Sequence, residues 1–210
     1  MDLLFKNFST GYESNLIISD LNLKIKSGEW IGIIGANGCG KSTLLKGISK
    51  IIAIQNGDVL LNSSSIKVLS TKEIAKIVSY LPQKINPNLP ITVKELVSLG
   101  RSPHKYFWEF DLNKNDLSII DEALELCDLK KYSNNPLSSL SGGQCQRAYL
   151  ALTIAQKTKI LLLDEPTTFL DINFQLQMLD LIKTLNKKNN LTILSVRLFF
   201  LFKVFIRSNI

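Results

Sequence analysis

Apolar and polar residues alternate at Leu21, Leu23 and Ile25 against Asn22, Lys24 and Lys26, a period of two that predicts a half-buried antiparallel strand. Ser27 and Gly28 turn the chain after it. Residues 30–34 form a short apolar run that predicts a buried central strand, and residues 42–51 follow as a helix. Ser70 with Glu73, and Thr92 with Glu95, have capping-box spacing and open two more helices. Between them, residues 78–81 predict a strand. From residue 84 the pattern changes. Residues 84–90 are rich in Asn and Pro and predict a mobile connection, after which apolar positions recur at helical spacing over 93–99, 117–126 and 148–155. A continuous apolar strand is expected at 160–163, a helix near 176–185 and a last strand at 191–196. Strands alternating with helices predict an α/β fold with a central, mainly parallel sheet. The helical segment forms an inserted lobe and the N-terminal strands a side sheet. There is no internal repeat.

Length and composition narrow this picture modestly. A chain of 210 residues can bury an ample core in one domain with subdomains. Its 25 Lys and Arg against 18 Asp and Glu give a formal charge of +7, which alone would admit nucleic acid, an anionic membrane face or nucleotide as partner. The distribution argues against nucleic acid, because no acidic residue follows Asp180 whereas Lys183, Lys187, Lys188, Arg197, Lys203 and Arg207 do. Three cysteines, Cys39, Cys127 and Cys145, match no zinc spacing and predict no disulfide framework. Asp2 stands where a secretory leader would be basic, and no stretch reaches the ~18 apolar residues of a membrane span. A soluble protein is expected.

The chemistry concentrates in three short runs. The first is GANGCGKST, comprising Gly35, Ala36, Asn37, Gly38, Cys39, Gly40, Lys41, Ser42 and Thr43. It fits the phosphate-binding P-loop pattern and lies between a predicted strand and helix. Its glycines let the backbone curl and aim N–H groups at phosphate oxygens beside the positive end of a helix. Lys41 is expected at the outer phosphates, Ser42 at Mg2+ and Thr43 at the inner phosphate. The second run ends the strand at 160–163 with Asp164 and Glu165, which predicts an aspartate orienting Mg2+ and a glutamate polarising water as general base. The third is Leu140, Ser141, Gly142, Gly143 and Gln144, where a glycine pair behind a serine at a helix start offers a second anion-binding surface.

Together these runs resemble, in order and kind, the ATP-binding subunits of ABC transporters, over roughly residues 1–196. The resemblance implies a P-loop NTPase fold for 1–196, with a nucleotide-binding core and β subdomain in 1–83 and 159–196 and a helical signature subdomain in 84–158. It implies ATP and Mg2+ as ligands. Tyr12 is expected to stack on adenine, and Gln83 to touch Mg2+ and sense the membrane partner. Leu170 and Asp171 look like the end of the family's D-loop, although Thr168 and Phe169 replace its usual small residues. The signature run of one subunit would close on nucleotide held by a second, so a homodimer is expected. Transmembrane permease subunits would dock on the helical lobe, with a solute-binding protein involved indirectly and no nucleic acid. This places the chain peripherally on the cytoplasmic face of the cell (inner) membrane.

Residues 92–104 (TVKELVSLGRSPH) and 69–83 (LSTKEIAKIVSYLPQ) resemble ATPases that drive uptake of iron chelates, haem or cobalamin. His104 reads as a surface residue beside the coupling region and Cys127 as a packed one. Phe107, Trp108 and Phe110 suit either a membrane partner or the lobe core. One departure concerns turnover. The family places a histidine at the γ-phosphate just after the last core strand, and Leu198 stands there instead, with four phenylalanines between 199 and 205. A truncation or frame shift near Arg197 would make 197–210 an aberrant tail; a short amphipathic tail on a membrane is the alternative. Three functions follow: an importer ATPase, a hydrolysis-defective nucleotide-binding remnant of one, or an ABC ATPase not tied to transport.

Overall fold

The computed structural model describes residues 1–13, 15–106, 109, 111–167 and 172–196. The D-loop expectation at Leu170 and Asp171, with Thr168 and Phe169, lies outside these residues. So do Phe107, Trp108, Phe110 and the segment 197–210 with Leu198.

Two four-stranded sheets organise the chain. The first is antiparallel, built from β1 (Leu3–Tyr12), β2 (Asn15–Ile25), β4 (Ile54–Leu61) and β5 (Ser64–Ser65) in the order β2-β1-β4-β5. The second comprises β3 (Trp30–Ile33), β6 (Val78–Leu81), β7 (Ile160–Asp164) and β8 (Thr192–Val196) in the order β3-β8-β7-β6. Every pairing in it is parallel. β6 has the bounds predicted for it, and β7 runs one residue further than predicted. β1 and β4 were not anticipated. Register shifts between Phe5 and Phe8 and again near Thr10 break the alternation of β1. With Asn7 at φ +47°, both Phe5 and Phe8 turn inward and meet edge to face at 5.5 Å. Each buried ring contributes about 1.5–3 kcal/mol of apolar burial.

The parallel sheet divides two cores. Ile160 and Leu162 of β7 face one that contains β1, β4 and Leu44, Leu45 and Ile48 of α1 (Lys41–Ile48). Leu161 and Leu163 face the other, shared with α3 (Val93–Ser98), α4 (Lys114–Leu126), α5 (Gly142–Ala155) and α6 (Ile172–Asn189). β7 is buried at all five positions because both faces are covered. α2 (Thr71–Ile77) and α3 open with the expected capping boxes at Ser70–Glu73 and Thr92–Glu95. α4 has an unanticipated third, Asn113 with Asp116.

The connection at 84–90, predicted to be mobile, is anchored. Ile85 and Leu89 pack on the lobe core, and the Tyr149 hydroxyl donates to the Asn86 carbonyl at 2.8 Å. A 3-10 turn, Leu99–His104, sits against α5, where exposed His104 bonds the Gln156 carbonyl at 2.8 Å through Nε2. Among the described residues no helix is long and apolar enough to cross a membrane.

Candidate functional site

The loop between β3 and α1 takes its shape from two left-handed glycines, Gly38 at φ +79° and Gly40 at φ +93°. A side chain at Gly40 would also strike Ile17, 2.6 Å from the added Cβ. A Cβ at Gly35 would lie 2.6 Å from Cys39 Sγ, so that thiol would have to turn aside. Lys41 starts α1 nearly buried, and its ammonium donates to the carbonyls of Gly35 at 2.9 Å and Ala36 at 2.6 Å. The cation is thus drawn across the loop, beside the positive end of α1. A cleft of about 270 Å³ opens here, bordered by Asn37, Gly38 and residues 40–43 on one side and by Gln83 and Glu165 on the other.

Geometry separates the two acids at the end of β7, Asp164 being its last residue and Glu165 the next. Asp164 is buried beneath the cleft, where Ser42 Oγ donates to its Oδ1 at 2.9 Å and the Tyr80 hydroxyl donates to its Oδ2 at 2.9 Å. Burial, then the Asp164 charge, pushes the Tyr80 phenol above its ordinary value, so it stays a protonated donor. Tyr80 was not singled out in the sequence. Its role depends on β6 lying beside β7, which pairs Tyr80 with Leu162, two residues and one pleat before Asp164. Glu165 turns the other way, with φ +50°, and its Oε2 accepts from Gln83 Nε2 at 2.7 Å. Gln83 was expected at the metal; here its amide nitrogen is engaged with Glu165, and its carbonyl oxygen is the atom suited to a cation. The convergence of a serine hydroxyl and a carboxylate, both hard oxygen donors, fits Mg2+.

The third run begins α5. Ser141 caps the helix, its Oγ accepting from the Gln144 N–H at 3.3 Å while Gln144 Oε1 accepts from the Ser141 N–H at 2.9 Å. Gly142 and Gly143, followed by the polar Gln144, Gln146 and Arg147, keep apolar periodicity from showing before residue 148. Ser141 and Gly142 are exposed, and a Cβ on Gly142 would meet nothing within 4 Å. Packing within the chain therefore gives no reason for glycine there. None of Leu140, Ser141, Gly142, Gly143 and Gln144 borders the P-loop cleft. The fold joins the first two runs and holds the third apart.

Tyr12 ends β1 beside α1, 45% exposed. Lys46 Nζ lies 3.3 Å from its hydroxyl and 5.9 Å from the ring centroid, almost in line with the long axis of the ring. The ammonium meets the hydroxyl edge and does not cover a face.

The family model described as ABC transporter matches residues 18–168, well over half of the chain. The chain belongs to the ABC transporter family. Across 179 residues this ABC family member is 46% identical to the petrobactin import ATP-binding protein of Bacillus anthracis, covering 85% of the chain and 65% of that protein. Across 186 residues it is 47% identical to the iron(3+)-hydroxamate import ATP-binding protein of Bacillus subtilis (strain 168), covering 89% and 69%. The ABC chain thus spans about two thirds of the length of these curated relatives. A solved structure of a metal-chelate type ABC transporter in an inward-facing conformation superposes with a TM-score of 0.79 at 28% identity, covering 93% of this chain and 72% of that one. The architecture is that of the family's P-loop ATPase domain, α/β with an antiparallel sheet, a parallel sheet and helices.

Proposed function

We propose that this chain is the ATP-binding and hydrolysing subunit of an importer for iron chelates such as siderophores, or for haem or cobalamin-type compounds. One observation carries the ATPase half of this reading: a single cleft gathers Lys41, Gln83 and Glu165 above the bonded pair Ser42–Asp164. The substrate class rests on the names of relatives, which specify import of petrobactin, import of iron(3+)-hydroxamate and, for a probable system, transport of a siderophore.

In this reading the N–H groups of residues 38–43 and the Lys41 ammonium bind the phosphates, and Tyr12 offers a ring face to adenine. Mg2+, when bound at Ser42 and Asp164, neutralises charge on the outer phosphates. The Tyr80 phenol holds the second Asp164 oxygen, so the carboxylate keeps one orientation. Glu165 accepts the proton of the water that attacks the terminal phosphate, its carboxylate steadied by Gln83. This is general-base catalysis. The signature run acts in trans. Its helix N-terminus is exposed, the space over Gly142 is empty within the chain, and a partner subunit's nucleotide is the anion that fits there. The lobe surface near the 3-10 turn, with Leu99 and Tyr106 exposed, supplies apolar area for a permease contact at the cytoplasmic face of the membrane.

The decisive experiment is ATP-dependent dimerisation of Glu165→Gln, followed by size-exclusion chromatography with light scattering. A shift from the 23.6 kDa monomer to the dimer with ATP, abolished by Ser141→Arg, is expected. A monomer at saturating ATP would contradict the trans arrangement. A second reading is binding and closure without turnover, as in a hydrolysis-defective remnant; it rests on the expectation that the family's histidine falls about where this chain has Leu198.

A further inference from the structure

Glu165 occupies a backbone conformation that a non-glycine residue rarely adopts, at φ +50°, and it precedes a proline. Such a conformation persists where its surroundings over-determine it. Two side-chain amides, each from a different helix, hold the loop that follows. Gln146, the fifth residue of α5, is 5% exposed and donates from Nε2 to the Pro166 carbonyl at 3.1 Å. Gln175 of α6 donates to the Thr167 carbonyl at 3.3 Å. Gln83 holds the carboxylate itself.

Of these three, Gln146 stands on the helix whose N-terminus is the signature run. The side chains at 145, 148 and 151 of that helix are buried in the lobe core, and such close packing transmits strain along α5. A displacement of its N-terminus therefore reaches the Pro166 carbonyl through a single buried hydrogen bond, and from there the peptide that orients Glu165.

Resting on the reading of Glu165 as the base, we propose that Gln146 is a positioning residue that couples the signature helix to the catalytic carboxylate of the same chain. Nucleotide captured by the signature run at one site thereby orients the base at the other. Gln146 touches neither phosphate nor water, so its loss costs rate and spares binding.

The test uses the full-length chain in its assembled, ATP-hydrolysing form, with Gln146→Met and Gln146→Leu, which keep the bulk of the side chain and remove its donor. Displacing a catalytic group by an ångström costs up to about 100-fold, so kcat is expected to fall by about 10-fold or more with KM for ATP and nucleotide affinity within about two-fold of wild type. In a Glu165→Gln background the same substitutions should change the residual rate by less than about two-fold, because the group they position is gone. An unchanged kcat would overturn the inference alone, as would a matched fall in kcat and nucleotide affinity, an equal loss in both backgrounds, or unfolding of both variants. Wild-type turnover that is absent, or that survives Glu165→Gln, would overturn the hydrolytic reading and this inference with it.

Discussion

Arg101→Met tests whether the helical lobe is held by a buried ionic cluster. Arg101 is 6% exposed and Asp116 3%; Nε of the guanidinium donates to Asp116 Oδ1 at 2.9 Å and Nη1 to the Ala155 carbonyl at 2.9 Å. Lys105 Nζ lies 3.1 Å from the other Asp116 oxygen, and Asp116 completes the capping box of α4. One cation thus ties the 3-10 turn to the start of α4 and the end of α5. Removing one partner of a buried pair costs about 3–5 kcal/mol, and because Lys105 still serves Asp116 the lower end applies, about 3 kcal/mol. Methionine fills most of the volume of the arginine stem, which keeps any cavity small. At about 2–4 °C per kcal/mol for a chain of this size, Tm should fall by about 6–12 °C. Burial pushes the Asp116 carboxyl up, but hydrogen bonds from Arg101, Lys105 and the Asn113 N–H outweigh it and hold the group below its ordinary value. A depressed folded-state pKa stabilises above the unfolded value of about 3.9, and that contribution is lost as pH falls through the folded pKa. The gap between wild type and Arg101→Met should therefore be constant from pH 7 to about 5 and close below about 4. Thermal melts across that range provide the assay. A Tm shift under about 2 °C at pH 7, or a gap that persists undiminished in acid, would refute the reasoning.

Two further outcomes follow from buried groups. Burial pushes the Cys127 thiol up to about 12, so in a thiol-alkylation map of the native protein at pH 8 the partly exposed Cys39 should be modified and Cys127 spared until denaturant is added; equal labelling of the two would contradict the packing. Tyr80→Phe removes the donor on Asp164 Oδ2 while keeping the ring. It should raise the Mg2+ concentration needed for half-maximal ATPase activity by several-fold, about 1–2 kcal/mol of orientation, while Mg2+-free nucleotide binding is unaltered. An unchanged Mg2+ dependence would remove Tyr80 from the site.

Much of the site was legible because its chemistry is local. The P-loop, the Asp164–Glu165 pair and the signature run are each defined by spacings of a few residues, and the capping boxes at Ser70 and Thr92 are too. Contacts between elements left no such trace. Tyr80 reaches Asp164 only because β6 and β7 are neighbours, and Gln146 reaches Pro166 only because α5 packs against β6, the strand beside β7. β1 was illegible for a different reason: bulges set Phe5 and Phe8 on one side and spoil the period of two. The contact of the Gln83 amide nitrogen with Glu165 is likewise one between elements, and the motif gave no sign of it.

The most direct test of the account is phosphate release at saturating ATP and Mg2+, measured side by side with nucleotide binding, for the wild-type chain and Glu165→Gln. Mg2+-dependent release by the wild type, reduced by about 100-fold or more in Glu165→Gln with ATP affinity retained, is the result predicted for a general base poised over the cleft. Tight ATP binding without release in either protein would contradict it.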